Sequence, residues 1–424
     1  MTDESMQLFE RVRAMCGDPF FQKVIRGHCS FLADNVAAAD LNLHIHPNDQ
    51  MLWHSLKHHR DANAAFSQYY NVALQQYNAA SQILRSLFPG PLERIRVLDF
   101  ACGYGRLLRF LSLSLPPQQI WASEIQADAL AFVCDNFRVT GIPSHVDPQA
   151  FQPDRRFHLI WVASLFSHLP ARLFEAWLRR LVDCLEPDGV LCFSAHDACL
   201  LPKGTELPAE GILFKPFSEN AALDTTTYGT TYVCEDFVDG VIAKVCGAGH
   251  GHFRIPRGLA HEQDLYMVPA APDRDLSGLQ SFRRGPWGWV DERELRQPGE
   301  LYLRGWAASI DDGPLETVDI EVNGAHYRCP TGQRRQDVAA VFEDPRLDTA
   351  GWEFRHILAP GDARLRIIVS ARTSNDESAL LYAGELQRPA PPAGRGDQPV
   401  STSRGILQRL GDLLARLRRA GSSR

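Results

Sequence analysis

Val97-Leu98-Asp99-Phe100-Ala101-Cys102-Gly103-Tyr104-Gly105-Arg106-Leu107 is the stretch on which the fold turns. An apolar strand ends in an acid, a small-residue turn with two glycines follows, and a helical pattern begins. Glycines at 103 and 105 let the backbone pass close to a ligand and take up positive φ. A helix starting here presents free N–H groups to a carboxylate or phosphate. Nineteen residues after Gly105, the run Ile120-Trp121-Ala122-Ser123-Glu124 also ends in an acid. A carboxylate there can accept hydrogen bonds from both hydroxyls of a ribose. The dinucleotide fingerprint asks for a third glycine, and Leu108 stands in its place.

The same rhythm extends outward. Strands are predicted at 94–100, 119–124, 142–146, 157–163 and 189–195, with helices at 105–114, 127–137 and 170–185. This alternation implies parallel βαβ units. Pro187-Asp188-Gly189 reads as a turn into the fifth strand, a helix is expected at 233–245, and strands near 251–256 and 264–269 complete the far edge. Residues 1–93 read as helical: Phe66, Tyr69, Tyr70, Ala73, Leu74, Tyr77 and Ala80 share one face, and Pro89-Gly90-Pro91 ends that helix. Beyond Trp287 the texture becomes short alternating strands, with turns at Asp312-Gly313-Pro314 and Asn323-Gly324. That pattern predicts an all-β sandwich. The expected organisation is a helical cap over 1–93, an α/β domain over 94–272, a β-sandwich over 285–387, a Pro/Gly-rich linker over 388–403 and a basic amphipathic helix over 404–420.

Composition narrows the function classes. The chain has 424 residues, 45% hydrophobic and 22% charged, with a net charge of −7. Those values fit a soluble multidomain protein and argue against a general nucleic-acid binder. The charge is uneven: residues 386–424 hold eight Arg and two Asp, net +6, leaving −13 on the rest. None of the ten cysteines forms a C-x-x-C pair, which predicts reduced thiols in a cytosolic protein. The acidic start MTDESMQLFERVR does not read as a signal peptide. The longest strongly apolar stretch, Leu159 to Phe166, falls far short of a membrane span.

The combination D-x-x-x-G-x-G with an acid closing the next strand resembles motif I and the acidic loop of class I S-adenosylmethionine-dependent methyltransferases. The resemblance implies a Rossmann-like, mostly parallel seven-stranded sheet that binds S-adenosylmethionine. It puts Asp99 near the methionine moiety, the backbone of Ala101, Gly103 and Gly105 under the cofactor, and Glu124 on the ribose. Asp147, after the third strand, is where an acid often meets the adenine amino group. The segment 157–169 looks like the fourth strand of a methyltransferase subgroup common in bacterial surface-glycan biosynthesis, with His158 in place of the usual acid, Ser167 in place of Thr, and His168 retained. Leu185-Glu186-Pro187-Asp188-Gly189-Val190-Leu191 resembles that family's loop and fifth strand, with Asp188 departing from its glycine.

What the resemblance implies is O-methylation of a sugar hydroxyl in a surface polysaccharide or related glycan. A lipid or other small-molecule hydroxyl, and a non-catalytic scaffold in a glycan assembly complex, are the rival readings. Methyl transfer to a hydroxyl benefits from a base poised near neutral pH, and histidine suits that role. His168 after the fourth strand and His196 after the fifth both fall at the strands' carboxyl ends, where open parallel sheets bind ligands. His168 is the favoured base and His196 the second candidate, and either can instead be structural. Tyr69 and Tyr70 line the acceptor as part of a lid or form a core stripe. Tyr228 faces the acceptor or simply precedes a turn at Gly229. His54 and His58 have the i, i+4 spacing of metal ligands but lack a zincin's acids, and no metal is expected.

Leu303-Arg304-Gly305-Trp306-Ala307, Val322-Asn323-Gly324, Arg335-Gln336-Asp337-Val338-Ala339 and Gly351-Trp352-Glu353-Phe354 resemble an accessory β-sandwich attached to bacterial glycosyltransferases. Trp306 and Trp352 are sugar platforms or core residues. In the tail, Ile406, Leu407, Leu410, Leu413, Leu414 and Leu417 form an apolar stripe among arginines. Such a helix can lie on an anionic membrane or dock on a partner, a glycosyltransferase being one candidate, so the inner membrane face is a possible location.

Overall fold

The computed structural model describes residues 3–202, 204–217, 224–296, 299–358 and 364–387. The linker expected at 388–403 and the helix expected at 404–420 lie outside the described residues. Contacts divide the chain into two compact units. Of the described residues, one unit holds those within Arg13–His54 and Val72–Arg284, and the other holds those up to Val12, Ser55–Asn71 and those between Gly285 and Gln387. The N-terminal helices are α1 (Asp3–Gly17), α2 (Pro19–Gly27), α3 (Gln50–His59) and α4 (Ala62–Leu87). Among the described residues up to 93, four α-helices dominate, a long loop with one short 3-10 turn spans 28–49, and this region is shared between the two units.

The α/β unit contains β1 (Val97–Phe100), α5 (Leu108–Ser114), β2 (Ile120–Glu124), α6 (Ala127–Phe137), β3 (Thr140–Pro143), β4 (Phe157–Val162), α7 (Ala171–Asp183) and β5 (Leu185–Asp197). A hairpin of β6 (Ile212–Lys215) and β7 (Thr230–Val233) follows, then α8 (Glu235–Cys246), β8 (Phe253–Leu259) and β9 (Gln263–Pro269). The main sheet runs β3-β2-β1-β4-β5-β9-β8. Its first five strands are parallel, and β9 is antiparallel to both neighbours. This is the expected seven-stranded, mostly parallel methyltransferase-like sheet. Strand order reverses between β1 and β4, which opens a crevice beyond their carboxyl ends.

The core follows from sequence periodicity. Leu173, Phe174, Trp177, Leu178 and Leu181 form one face of α7 and pack with Leu98, Phe100, Ile160, Val162, Leu191 and Phe193 of the strands. Full burial of such a side chain contributes about 1.5–3 kcal/mol.

Several boundaries differ from expectation. α5 starts at Leu108 rather than 105, because residues 101–107 are a turn with positive φ at Ala101, Gly103 and Gly105. β3 ends at Pro143, short of the expected 146. Pro187-Asp188-Gly189 does not precede β5; it lies within it, taken up by a register shift opposite Phe157–Leu159. The β6–β7 hairpin was not foreseen. Its parallel contact with β5 covers only His196 and Asp197.

The second unit carries β10 (Pro286–Arg296), β11 (Glu300–Ser309), β12 (Gly313–Pro314), β13 (Thr317–Val322), β14 (Ala325–Gln333), α9 (Gln336–Phe342), β15 (Gly351–Ile357), β16 (Arg364–Arg372) and β17 (Ser378–Gln387). Instead of two separate sheets, it forms one antiparallel sheet in the order β10-β11-β15-β14-β13-β16-β17, with β12 on β11. β14 pairs with β13 up to Pro330 and with β15 at Thr331 and Gln333, where its register shifts. That irregularity lets the sheet curl on itself like a barrel. Leu301, Leu303 and Ala307 then share one core with Ile320, Ile367, Val369 and Leu381.

In this unit one open choice is decided and the acceptor role expected for Tyr69 and Tyr70 is corrected. Trp306 and Trp352 are 4% and 0% exposed, so they are core residues and not sugar platforms. Tyr69 and Tyr70 are fully buried, with ring centroids 5.2 Å apart, and Phe66 lies 4.6 Å from Tyr70. They form the core stripe and leave no surface for an acceptor. The same helical turn explains why 55–71 belongs here: Asn63 Nδ2 donates to Glu385 O at 3.0 Å, and Ser67 Oγ donates to Ala383 O at 3.1 Å.

Candidate active site

The chemistry gathers at the carboxyl ends of β1, β2, β4 and β5. Cys102 N–H donates to Ser123 O at 3.1 Å, tying the glycine turn to β2. Gly105 has φ +76, and a Cβ there would come within 2.6 Å of the Phe137 ring. Only glycine combines that φ with that approach of α6.

Glu124 closes β2 and is almost fully buried. Its Oε1 accepts from the N–H groups of Ile125 and Gln126 at 2.8 and 3.1 Å, and its Oε2 accepts from Gly103 N–H at 2.9 Å. Burial nonetheless raises its pKa above the ordinary value, against those three amides. Oε2 keeps a lone pair for a further donor such as a ribose hydroxyl.

Asp99, next to last in β1, is buried, and its carboxyl group receives no hydrogen bond from the described residues. Burial, then the charge of Glu124, push its carboxyl up to about 8. A buried acid without a protein donor fits a ligand that brings its own cation. The residues present thus fit S-adenosylmethionine: Asp99 for the charged methionine end, Gly103 and Gly105 for close passage, Glu124 for the ribose.

Asp147 stands apart. It is exposed, lies four residues beyond β3, and caps the following turn through Gln149 N–H at 3.0 Å. No hydrogen bond joins it to the other site residues among those described.

His168 sits in a short 3-10 turn after β4, and Gly229 clamps it twice. Gly229 N–H donates to His168 O at 2.8 Å, and His168 Nδ1 lies 2.5 Å from Gly229 O. A Cβ on Gly229 would fall on the Lys215 carbonyl and the Phe214 ring, so glycine is required for this approach. Tyr228 stacks on the His168 ring at 4.6 Å and 13°. With Nδ1 donating to a carbonyl, the neutral ring carries its lone pair on Nε2. His196, at the end of β5, lies 6.2 Å from His168 between ring centroids. Burial, then the neighbouring His168, lower its pKa to about 4.

Sequence reasoning missed two contributors. Gln263 joins Ser164, Ser194 and His196, but a neutral amide at a strand start carries no motif. The segment 42–50 packs on the glycine turn: His46 stacks on Tyr104 at 4.8 Å and 9°, and Tyr104 OH and Asn48 Nδ2 both donate to Asp128. The buried Arg109 guanidinium reaches the carbonyls of Asn42 and His44 at 3.4 and 3.3 Å. His46 therefore packs beside the turn. No group of three or more His, Cys, Asp or Glu placed to hold a metal occurs among the described residues.

Residues 98–191 match a family model described as a methyltransferase domain. No curated protein matches the chain. Solved structures similar to it include an S-adenosylmethionine-dependent methyltransferase from Clostridium acetobutylicum ATCC 824, at 12% identity over 46% of this chain and 92% of that one, with a TM-score of 0.33. Another is an O-methyltransferase family protein from Burkholderia thailandensis, at 18% identity over 51% of this chain and 61% of that one, TM-score 0.33. A third is the glycopeptide N-methyltransferase MtfA complexed with S-adenosylmethionine, at 20% identity over 46% of this chain and 93% of that one, TM-score 0.32. Over residues 98–191 the chain is thus similar to a methyltransferase domain, and the residues of its site fit S-adenosylmethionine as methyl donor.

Proposed function

We propose that this domain methylates a hydroxyl of a sugar in a bacterial surface polysaccharide or related glycan, with His168 as general base. The observation that carries the base assignment is the double clamp on Gly229, which puts the lone pair of neutral His168 on Nε2. S-adenosylmethionine supplies an electrophilic methyl group on a sulfonium. The acceptor oxygen bonds to that methyl carbon as the carbon–sulfur bond breaks, and the hydroxyl proton passes to His168 Nε2. Tyr228, half-buried and stacked on His168, offers the acceptor an aromatic edge and a phenol hydroxyl. The glycan assignment rests on the resemblance of residues 157–169 and of the β unit to glycan-biosynthesis proteins. The basic segment 404–420 is proposed to bring the enzyme to an anionic membrane face or to a glycosyltransferase partner.

Mass spectrometry of the cell's glycans tests the acceptor. Deleting the gene should remove increments of one methylene, and a His168→Ala gene should fail to restore them. Unchanged glycans would overturn the polysaccharide assignment and point to a lipid or small-molecule hydroxyl. Full restoration by His168→Ala would overturn the base assignment.

A further inference from the structure

We propose that Gln263, locked by Ser164 and Ser194, holds His196 as a neutral Nδ1-protonated positioning residue and reserves proton acceptance for His168. This rests on the methyltransferase reading above.

The network fixes its own proton directions. Ser164 N–H donates to Ser194 Oγ at 2.7 Å, so the Ser194 hydroxyl acts as the acceptor there. That hydroxyl in turn donates to Gln263 Oε1 at 2.6 Å. Thr231 O can only accept, so His196 Nδ1, 3.3 Å from it, carries the ring proton and the neutral ring keeps its lone pair on Nε2. The amide group facing that lone pair is therefore the NH2 end, and Oε1 faces Ser194. Gln263 Nε2 donates to Ser164 Oγ at 2.9 Å and faces His196 Nε2 at 3.3 Å. Protonating His196 Nε2 would set one N–H against another.

The surroundings favour the same state. Ser164 is a non-glycine residue at φ +60, a conformation that persists where neighbours over-determine it. Toward His196 lie His168 from the turn after β4 and the Tyr232 ring of β7 at 5.5 Å, with the Lys215 ammonium 5.9 Å from that ring. Asp197, the next residue, is paired with Arg254, which also binds Asp264 and Glu235. The nearby carboxylates are thus committed to a guanidinium and do not stabilise an imidazolium at His196. Keeping His196 neutral spares His168 a positive neighbour when it accepts a proton.

Nitrogen NMR of the full chain with ¹⁵N-labelled histidine tests this without cofactor or acceptor. Wild-type His196 should show the neutral Nδ1–H pattern from pH 8 down to pH 5. Gln263→Glu places a carboxylate against Nε2 and should charge His196 near neutral pH. Gln263→Met keeps the volume without the donor and should give a mixture of tautomers. Ordinary titration of His196 in the wild type, an Nε2–H tautomer, or a Glu variant with unchanged His196 signals would each overturn the proposal. If Gln263→Glu does not fold, the wild-type and Gln263→Met spectra decide. Failure to bind S-adenosylmethionine would sink the methyltransferase reading separately, since these spectra do not depend on it.

Discussion

Asp99 is a carboxyl group kept in the wrong charge state until a cation arrives. Its folded pKa, about 8, lies above its ordinary value of 3.8. The folded chain therefore binds an extra proton between those values. The stability contribution of Asp99 is full below pH 3.8 and is lost as pH rises through 8. A cationic ligand beside it favours the carboxylate, so binding at pH 7 should release close to one proton. Calorimetric titration of S-adenosylmethionine in two buffers of different ionisation enthalpy checks this. The apparent enthalpies should differ by about the buffers' own difference, and Asp99→Asn should abolish the effect. Equal enthalpies in the wild type would contradict the assignment. At this scale the position of the motif acids was legible, because an apolar run ending in an acid before a glycine turn reads as a strand end. Tyr69 and Tyr70 were not, because a helical aromatic stripe reports a buried face without saying what covers it.

Among the elements, the β6–β7 hairpin does the most to shape the proposed acceptor side. It delivers Gly229 to His168 and Thr231 to His196. Gly229→Ala should force the backbone away from the Lys215 carbonyl and the Phe214 ring. The expected loss is about 1–3 kcal/mol of stability by chemical denaturation. Methyl transfer should fall by about tenfold or more with the base displaced, while S-adenosylmethionine affinity stays unchanged. Full activity in a folded variant would show that the clamp does not position His168. The hairpin escaped the sequence because each strand has only four residues and neither shows a clear alternation. By contrast, α6 and α7 were legible almost to the residue, since their apolar spacing extends over three turns.

At the level of the whole molecule, two units carry separate cores. In the β unit, Arg335 and Asp291 form a 2.7 Å ion pair with side chains 3% and 4% exposed, and Arg335 also forks onto Asp337. The R-x-D-V-A pattern that resembled an accessory domain is thus a structural lock. Arg335→Leu leaves Asp291 buried without its counter-ion and should cost about 3–5 kcal/mol. Thermal unfolding of the full chain should show a lowered transition, and an unchanged profile would contradict the lock. The parallel βαβ character of the α/β unit was legible from the alternation of strand and helix, though not the order of its strands. The assignment of 55–71 to the β unit was not legible, because the side chains of Asn63 and Ser67 donate to carbonyls of β17 across more than 300 residues. Sequence spacing does not reveal such long-range pairing.

The central claim is that Asp99, the glycine turn and Glu124 form a working cofactor site. Titration calorimetry of S-adenosylmethionine into the full chain tests it most directly. Saturable one-to-one binding by the wild type, abolished by Asp99→Ala and by Glu124→Ala, is the predicted result. Absence of binding by the folded wild type, or undiminished binding by both variants, would contradict it.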